Sequence, residues 1–326
     1  MRRRDVAIGC FGCAIASLRA VRAWGQQPSR VYRIGSLFSA PRDAPHHLAF
    51  RSELQRLGFI EGENLTIDER GFGLSGKEFA AHAAELVSAH GDVIMAGGDA
   101  AVEAAQRATS EIPILALTDD IVGKGFVQSL AKPGGNTTGV TILASELDGK
   151  RQEILLEAVP GVHRIAALVD RNTSSEAHVK ALEEAARRAG VELSIHALAR
   201  AEDLPAALDG VGSSAAEALN VLASALLFNN RRTILDRVSA LRLPAIYQWP
   251  EMATRGGLIG YGPSIVQLYK DVQSRQLVRL LRGANPGELP VEQPTKFELL
   301  INLQTAQALG LRLPQSLLTR ADEVIE

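Results

Sequence analysis

Cysteine is missing from the chain beyond residue 13, and aromatic residues make up only 5% of it. Because Cys10 and Cys13 both lie in an N-terminal apolar run, the rest of the chain can form no disulfide, thiolate metal site or cysteine nucleophile. The scarcity of aromatic residues disfavours a stacking surface for single-stranded nucleic acid. A net charge of −2, without a basic stripe or an acidic tail, also makes nucleic acid and anionic membranes unexpected partners.

Long apolar runs are missing too. The N-terminal run from Val6 to Leu18 has about 13 residues, whereas a bilayer span needs roughly 18–20. Arginines occupy positions 2–4 before this run, and the exit carries the spaced residues of a cleavage site in Val21-Arg22-Ala23 and Ala23-Trp24-Gly25. This order is typical of a secretory signal. We therefore predict an export signal over residues 1–25, cleaved after Ala23 or Gly25 on the Sec or twin-arginine route, and a periplasmic protein. A retained membrane anchor is the alternative.

What the chain does have is an alternation of short, branched apolar runs with amphipathic stretches. This is the βαβ rhythm of an α/β fold with parallel sheets covered by helices on both faces. Two units of similar size meet near residue 143. The predicted strands are Val31–Ser36, Asn64–Glu69, Asp92–Ala96, Ile112–Leu117 and Gly139–Ile142 in the first unit, and Arg164–Val169, Val191–His196, Glu217–Ala223, Pro244–Tyr247 and Gly257–Tyr261 in the second.

Ligands of open parallel sheets bind beyond the carboxyl ends of the strands. The residues at or near those ends are therefore the predicted ligand-binding set: Ser36, Phe38, Gly98, Asp99, Ala100, Thr118, Asp119, Asp120, Asp170, Asn172, Ser174, Ser224, Asn229 and Tyr247. Two alternatives stay open. Asp99 is either a ligand contact or the N-cap of the following helix. Asp119 and Asp120 form either a ligand site or a carboxylate pair for acid–base chemistry.

The motifs of common enzymes are incomplete or missing. Residues 71–77 form a glycine-rich loop that resembles a phosphate loop, but Glu78 stands where that loop needs Ser or Thr. We interpret it as a connecting loop. His46 and His47, with Asp43 nearby, are interpreted as a solvated helix start rather than a metal site. No nucleophile elbow or zinc-binding helix motif occurs. We accordingly expect no catalytic residue, metal or cofactor.

Several blocks of the carboxyl half resemble one family. They are Pro133–Val140, Gly149–Arg151, Leu243–Tyr247, Gly256–Pro263 and Leu289–Asn302. Together they are similar to bacterial ABC-transporter substrate-binding proteins of the tryptophan/tyrosine-binding type, and the likeness extends over essentially the whole chain. The resemblance implies a type I periplasmic binding protein with two Rossmann-like lobes and a ligand cleft at a multi-segment hinge. Lobe 1 would comprise residues 26–143 and 258–290, and lobe 2 residues 144–257 and 291–326.

The same resemblance implies a monomeric receptor, not an enzyme, that closes on a small molecule and delivers it to ABC permease subunits. The strand ends depart from the family pattern, however. Asp99-Ala100 stands where the family often has Thr-Pro, and Asp170-Arg171 where it often has Asn-Pro. The family's aromatic amino-acid ligands are therefore not carried over, and the acids at the strand ends predict an amine-bearing or neutral polar ligand. The alternative function is a secreted hydrolase that uses Asp119 or Asp120.

Overall fold

The computed structural model describes residues 30–142 and 144–326, and of residues 144–146 and 177 the backbone alone. The predicted export signal at residues 1–25 lies outside the described residues. The described strands form a five-stranded sheet and a seven-stranded sheet, so the predicted α/β class is confirmed. We call the part built on the five-stranded sheet lobe 1 and the part built on the seven-stranded sheet lobe 2.

The first sheet has strand order β2-β1-β3-β4-β5, and all its neighbouring strands are parallel. Its elements are β1 (Tyr32–Leu37), α1 (Pro45–Arg56), β2 (Leu65–Ile67), α2 (Phe79–Ser88), β3 (Val93–Gly97), α3 (Asp99–Ala108), β4 (Ile114–Thr118) and β5 (Thr137–Thr141). Successive residues of a strand point to opposite faces. In β3, Ile94 packs in the cluster that contains Val102 of α3, and Met95 in the cluster that contains Leu54 of α1. Helices thus cover both faces, which explains the uninterrupted apolar strands.

The second sheet has strand order β12-β11-β10-β9-β8-β6-β7. Its elements are α4 (Ala144–Ala158), β6 (Arg164–Asp170), α5 (Glu176–Ala189), β7 (Glu192–Leu198), α6 (Leu204–Ser213), β8 (Ala218–Val221), α7 (Ala225–Asn229), α8 (Arg231–Ala240), β9 (Ala245–Tyr247) and β10 (Ile259–Gly262), followed near the carboxyl terminus by β11 (Glu298–Asn302), α11 (Leu303–Leu309), α12 (Gln315–Arg320) and β12 (Glu323–Ile325). The pair β10–β11 is antiparallel, and the other pairs are parallel. The final elements were not predicted from the sequence.

Between these two parts of lobe 2, the chain returns to lobe 1. Ile265–Gln267 (α9), the π-helical stretch Leu268–Gln273 and Ser274–Leu281 (α10) follow one another and pack against α1. The backbone N–H of Val291 then donates to the Leu130 carbonyl at 2.8 Å, on the side of the first sheet.

The predicted lobe boundaries therefore need a small correction. Residues 258–290 were predicted as one block of lobe 1, but Ile259–Gly262 pairs with β9 and β11 in the second sheet. Val291 and Glu292 were predicted for lobe 2, but their backbones bond to lobe 1. The sequence shows where an apolar run lies. Which of the two sheets the run joins depends on pairing between segments that are distant in the chain.

The strand orders place a cleft in each lobe. In each sheet the order reverses, between β1 and β3 in lobe 1 and between β6 and β8 in lobe 2. Such a reversal leaves a crevice beyond the carboxyl ends of the flanking strands, where α/β proteins bind ligands. Among the described residues, no helix combines the length and apolar character needed to cross a membrane.

Candidate ligand-binding site

A cavity lies where the carboxyl ends of strands from both lobes face each other. Its empty volume is about 610 Å³, counting the part open to solvent. The lining residues from lobe 1 are Phe38, Ser39, Ala40, His46, Gly97, Gly98, Asp99, Leu117, Thr118, Asp119, Ile142, Ile265 and Tyr269, and those from lobe 2 are Thr173, Ser224, Ala225, Phe228, Asn229, Gln248 and Trp249.

Asp99 is the first acid of this cavity. The N-cap of α3 is Gly98, at φ 89° and ψ 157°, a conformation suited to glycine. Asp99 follows it in the first helical turn, and both of its buried carboxylate oxygens lack a hydrogen-bond partner. Burial raises the pKa of Asp99, and the neighbouring Lys124, whose Nζ lies 3.4 Å from Oδ2, acts in the opposite direction. Asp99 is thus not the helix cap, and its carboxylate is available to a ligand.

Asp119 is the second acid of the cavity, at the end of β4. Its backbone carbonyl accepts a hydrogen bond from Thr141 Oγ1 at 3.1 Å, which fixes the strand end. Burial, followed by the charges of Asp99 and Asp148, raises the pKa of Asp119 to about 7, and Arg151 opposes this shift. Next to it, the buried Thr118 Oγ1 has no hydrogen-bond partner. We call Asp99, Thr118 and Asp119 the acidic wall.

A buried ion pair lies close enough to influence this wall. Arg151 on α4 is fully buried and forms a salt bridge with Asp148, one turn earlier on the same helix. Its guanidinium also donates to the carbonyl of Tyr261 at 3.2 Å. Burial raises the pKa of Asp148, and Arg151 works against that rise. Because Arg151 is engaged by Asp148, it neutralises Asp119 only in part.

The lobe 2 side of the cavity carries no acid among its lining residues and offers donors instead. Ser224 caps α7 by accepting from the N–H of Leu227 at 3.2 Å, and its hydroxyl donates to Asp170 at 2.6 Å. Gln248 Oε1 accepts from the Ser224 N–H at 3.2 Å. The buried Gln248 Nε2 and Trp249 Nε1, both donors, have no partner. We call Ser224, Gln248 and Trp249 the donor wall.

Aromatic rings fill the remaining surface between the two walls. The lining rings are Phe38, His46, Phe228, Trp249 and Tyr269. Phe228 meets Trp249 edge-on with ring centroids 5.7 Å apart, and His46 lies 4.7 Å from Tyr269. Rings from lobe 1 and lobe 2 also approach each other, since His46 lies 6.2 Å from Phe228. Such a lining favours a ligand with an apolar, flat portion.

His46 and His47 are the clearest correction to the sequence interpretation. They were predicted to lie on a solvated helix start, yet they are only 4% and 3% exposed. Burial lowers the pKa of His46 to about 3 and that of His47 to about 4. Both rings are therefore neutral, and His47 Nδ1 lies 2.9 Å from the Pro41 carbonyl, to which it donates. They are buried because the helical segment 265–281, which the sequence did not place, covers α1.

The structure brings together part of the predicted site. Phe38, Gly98, Asp99, Thr118, Asp119, Ser224 and Asn229 line the cavity, whereas Ser36, Ala100, Asp120, Asp170, Asn172, Ser174 and Tyr247 do not. Ser36 is buried behind Phe38, and Ala100 is exposed in the first turn of α3. The Tyr247 ring packs toward Gly257 in a separate groove.

The remaining predicted acids and polar residues shape loops next to the cavity. Asp120 Oδ1 accepts the Gly123 N–H at 2.8 Å, so the Asp119–Asp120 pair does not converge on the cavity. Asp170 accepts from the Asn172 N–H at 2.9 Å and from the Ser224 hydroxyl, while its carbonyl accepts from the Ser174 N–H at 2.9 Å. These residues therefore hold the site in place rather than line it.

The glycine-rich loop at residues 71–77 also lies outside the cavity lining. A side chain at Gly71 would collide with the Ser36 carbonyl oxygen, at 1.8 Å from an ideal Cβ. Phe72 stacks on Phe38 with centroids 5.5 Å apart, and Lys77 is exposed. Close packing against β1 thus accounts for Gly71, and the loop supports the ring of Phe38 from behind.

Several lining residues were missed by the sequence analysis. The strand end predicted at Tyr247–Trp249 includes Gln248 and Trp249, but only Tyr247 from that end was placed in the predicted ligand-binding set. Ile265 and Tyr269 had no such signal, because they come from the returning helical segment. Nothing in the local sequence indicates that this segment reaches the cleft.

Comparison with known proteins gives a consistent picture. A family model described as ABC transporter substrate binding protein matches residues 46–325. The tyrosine-binding protein of Clostridioides difficile strain R20291 is 25% identical over 267 residues, which are 81% of this chain and 76% of that protein.

Solved structures are similar over most of the chain. The ABC domain from Streptococcus pneumonia in complex with L-Trp is 24% identical with a TM-score of 0.80, covering 90% of this chain and 100% of that one. A conserved domain protein from Vibrio cholerae O1 biovar eltor is 20% identical with a TM-score of 0.80, covering 91% and 99%. A ligand-free, open substrate-binding protein with adhesive properties from Clostridium difficile is 23% identical with a TM-score of 0.63, covering 90% and 99%. These likenesses confirm the predicted two-lobed fold.

Proposed function

Since the chain belongs to the ABC transporter substrate-binding protein family, we propose that it is the receptor of an ABC importer for an aromatic, amino-acid-like ligand. The observation that carries this proposal is the contrast between the two walls of the cavity. The acidic wall presents two carboxylates, and the buried oxygens of Asp99 have no hydrogen-bond partner; the donor wall presents the side-chain N–H groups of Gln248 and Trp249 without partners, and aromatic rings lie between the walls.

Each part of such a ligand has a complementary group in the cavity. An ammonium group suits Asp99 and Asp119, because a buried carboxylate is stabilised by a paired cation. A carboxylate or another acceptor suits the indole N–H of Trp249 and the amide of Gln248. A flat apolar side chain suits the rings of Phe38, Phe228 and Tyr269. The names of similar proteins, a tyrosine-binding protein and a domain bound to L-Trp, agree with this chemistry.

Capture would proceed by hinge closure between the lobes. The chain crosses between the sheets near residue 143, after Gly262 and before Glu298, and such multiple crossings permit rotation of one lobe against the other. The ligand-lined strand ends of both lobes face the same cavity, so rotation would bury the ligand between them. The closed receptor would then deliver the ligand unaltered to ABC permease subunits in the membrane.

Ligand screening tests the receptor function directly. We expect L-Trp or L-Tyr to raise the stability of the protein by about 2.7 kcal/mol at a concentration of 100 times Kd. The matched controls are the des-amino acids indole-3-propionate and 3-(4-hydroxyphenyl)propionate, which keep the ring and the carboxylate but lack the ammonium group. A screen in which the des-amino acids or dicarboxylates bind more tightly than any amine would contradict the proposed ligand class.

Recovery of the ligand separates a receptor from an enzyme. After prolonged incubation, chromatography of the released ligand should return the starting compound. A time-dependent product that disappears in Asp119→Asn would instead support the hydrolase alternative.

The proposed receptor function also requires export of the protein from the cytoplasm. We infer that residues 1–25 are a signal that is removed as the protein enters the periplasm. Mass spectrometry of periplasmic protein should show a start after Ala23 or Gly25. Material that retains Met1 would contradict cleavage.

A further inference from the structure

Lys124 lies on the rim of the cleft, in the turn that follows β4. The turn is fixed by Asp120, whose carbonyl accepts the Lys124 N–H at 3.1 Å and whose Oδ1 accepts the Gly123 N–H at 2.8 Å. A side chain at Gly123 would meet the Asp120 carboxylate at 2.0 Å, so a larger residue there would displace the Asp120 side chain that holds the turn. The turn therefore presents the Lys124 side chain in a defined direction.

From this turn the Lys124 ammonium group connects the two lobes. Nζ donates to the backbone carbonyl of Asn172 in lobe 2 at 2.7 Å. The same Nζ lies 3.4 Å from Asp99 Oδ2 in lobe 1. The Lys124 side chain is 32% exposed and that of Asp99 is 16% exposed. One cation thus contacts the acidic wall and the opposite lobe at once.

The acceptor in lobe 2 is also held in place. The Asn172 N–H donates to Asp170 Oδ1 at 2.9 Å, and the Asn172 side-chain amide donates to the Ala199 carbonyl at 2.7 Å. The Asn172 carbonyl is therefore oriented before Lys124 reaches it, and little ordering is needed to form the contact.

The ion pair between Lys124 and Asp99 distinguishes the two carboxylates of the acidic wall. Asp99 has Lys124 beside it, whereas the Asp119 carboxylate forms no hydrogen bond or ion pair with another of the described residues. Two carboxylates with one cation leave one negative charge for the ligand to balance.

We propose that Lys124 is a specificity-determining interlobe bridge: it serves as the counter-ion of Asp99, ties the closed lobes together through the Asn172 carbonyl, and leaves Asp119 to take a single ligand ammonium group. This inference rests on the proposed receptor function, because it assigns the charge that the ligand must bring. It concerns a residue outside the cavity lining, and it can be tested without any ligand.

Interlobe distances measured by double electron–electron resonance test the bridge. The chain has no cysteine beyond residue 13, so Ala81→Cys on α2 and Ala181→Cys on α5, both exposed, provide one spin label in each lobe. The variants are Lys124→Met, which removes the cation, Lys124→Arg, which keeps it, and the control Lys132→Met, whose side chain in the same loop is 77% exposed. Without ligand, we expect Lys124→Met to populate longer interlobe distances, and Lys124→Arg and Lys132→Met to resemble the parent.

Ligand kinetics provide the second measurement. With L-Trp as the probe, Lys124→Met should dissociate faster by about two- to fivefold, the scale of a partly exposed ion pair. The ratio of Kd values for indole-3-propionate and L-Trp should rise, because Asp99 has lost its counter-ion and disfavours a ligand without a cation. A purely structural role for Lys124 would weaken both ligands equally.

The outcomes separate the bridge from the receptor function. If L-Trp still shortens the interlobe distance while Lys124→Met matches the parent in distance and dissociation rate, the bridge is wrong and the receptor function stands. Distances that respond neither to ligand nor to any variant overturn both proposals.

Discussion

The two walls of the cavity come from equivalent places in two similar sheets, yet they differ in charge. In lobe 1 the ends of β3 and β4 carry Asp99 and Asp119, and both carboxylates are desolvated. In lobe 2 the end of β8 carries Ser224 and the end of β9 leads to Gln248 and Trp249, which are neutral. The same strand geometry thus supports opposite hydrogen-bonding roles, because loop residues at strand ends vary without disturbing the sheet.

The difference between the two walls favours one orientation of the ligand in the cleft as well as one set of ligand groups. An ammonium group is favoured at lobe 1 and an acceptor at lobe 2, so a zwitterion would lie across the cleft with its charges toward opposite lobes. A dianion would leave the desolvated Asp119 carboxylate without a ligand cation and add charge of the same sign beside it, and an uncompensated buried charge costs several kcal/mol. Closure of the lobes would therefore be favoured by a zwitterion and disfavoured by a dianion.

Removing the charge at Asp119 should produce the largest effect. Asp119→Asn should weaken binding of L-Trp by about 1.5–3 kcal/mol, roughly ten- to hundredfold in Kd, because a buried charge-assisted hydrogen bond is lost. Isothermal titration calorimetry measures this change, with the exposed Asp43→Asn as the matched control. Unchanged affinity in Asp119→Asn would show that the ammonium group is held elsewhere.

Protonation of Asp119 should weaken the binding of an amine-bearing ligand at the acidic wall. Burial raises the pKa of Asp119 to about 7, and a ligand ammonium group prefers the ionised carboxylate. The Kd should thus increase about tenfold as the pH falls from 8 to 6, and Asp119→Asn should abolish most of this dependence. A flat pH profile in the parent protein would contradict this.

The stability of the unliganded protein should change with pH in the opposite direction to ligand affinity. A carboxyl group that binds its proton more tightly in the folded state stabilises the fold at low pH, and this contribution is lost as the pH rises from about 4 toward 7. Denaturant unfolding of the parent protein and of Asp119→Asn across this window should reveal the difference between them.

The donor wall should contribute a smaller amount. Trp249→Phe keeps an aromatic ring but removes the indole N–H, and should weaken L-Trp binding by about 0.5–1.5 kcal/mol, roughly two- to twelvefold. Tyr247→Phe is the control, because Tyr247 lies only two residues earlier but packs away from the cavity. Equal losses in both variants would mean that the effect passes through the sheet and not through the N–H group.

A change outside both walls should have the smallest effect. Lys77 is exposed in the glycine-rich loop, and Lys77→Ala should alter ligand affinity by less than about 0.5 kcal/mol. A tenfold loss, or binding of ATP by the parent protein, would restore the phosphate-loop interpretation.

Sequence reasoning located the strands from β1 to β10 well, because parallel strands buried on both faces are continuous apolar runs, but it missed β11 and β12. Predicted Arg164–Val169, for example, is observed as Arg164–Asp170. It failed at His46 and His47, which are polar by composition but buried by a segment more than 200 residues away. It also left Asp99 undecided, since a helix start and a strand end coincide there, and only the position of Gly98 as N-cap resolved the question.

The sequence by itself determined the α/β class, the family resemblance and the approximate strand ends, because these depend on local patterns of apolar and turn residues. Only the tertiary structure decided which strand ends face one cavity, that Asp120 and Asp170 hold loops while Asp99 and Asp119 face the cleft, and that Tyr269 completes the lining. The physical reason is that the direction of a side chain and its desolvation depend on contacts between segments that are distant in the chain. Those contacts leave no periodic signal in the sequence.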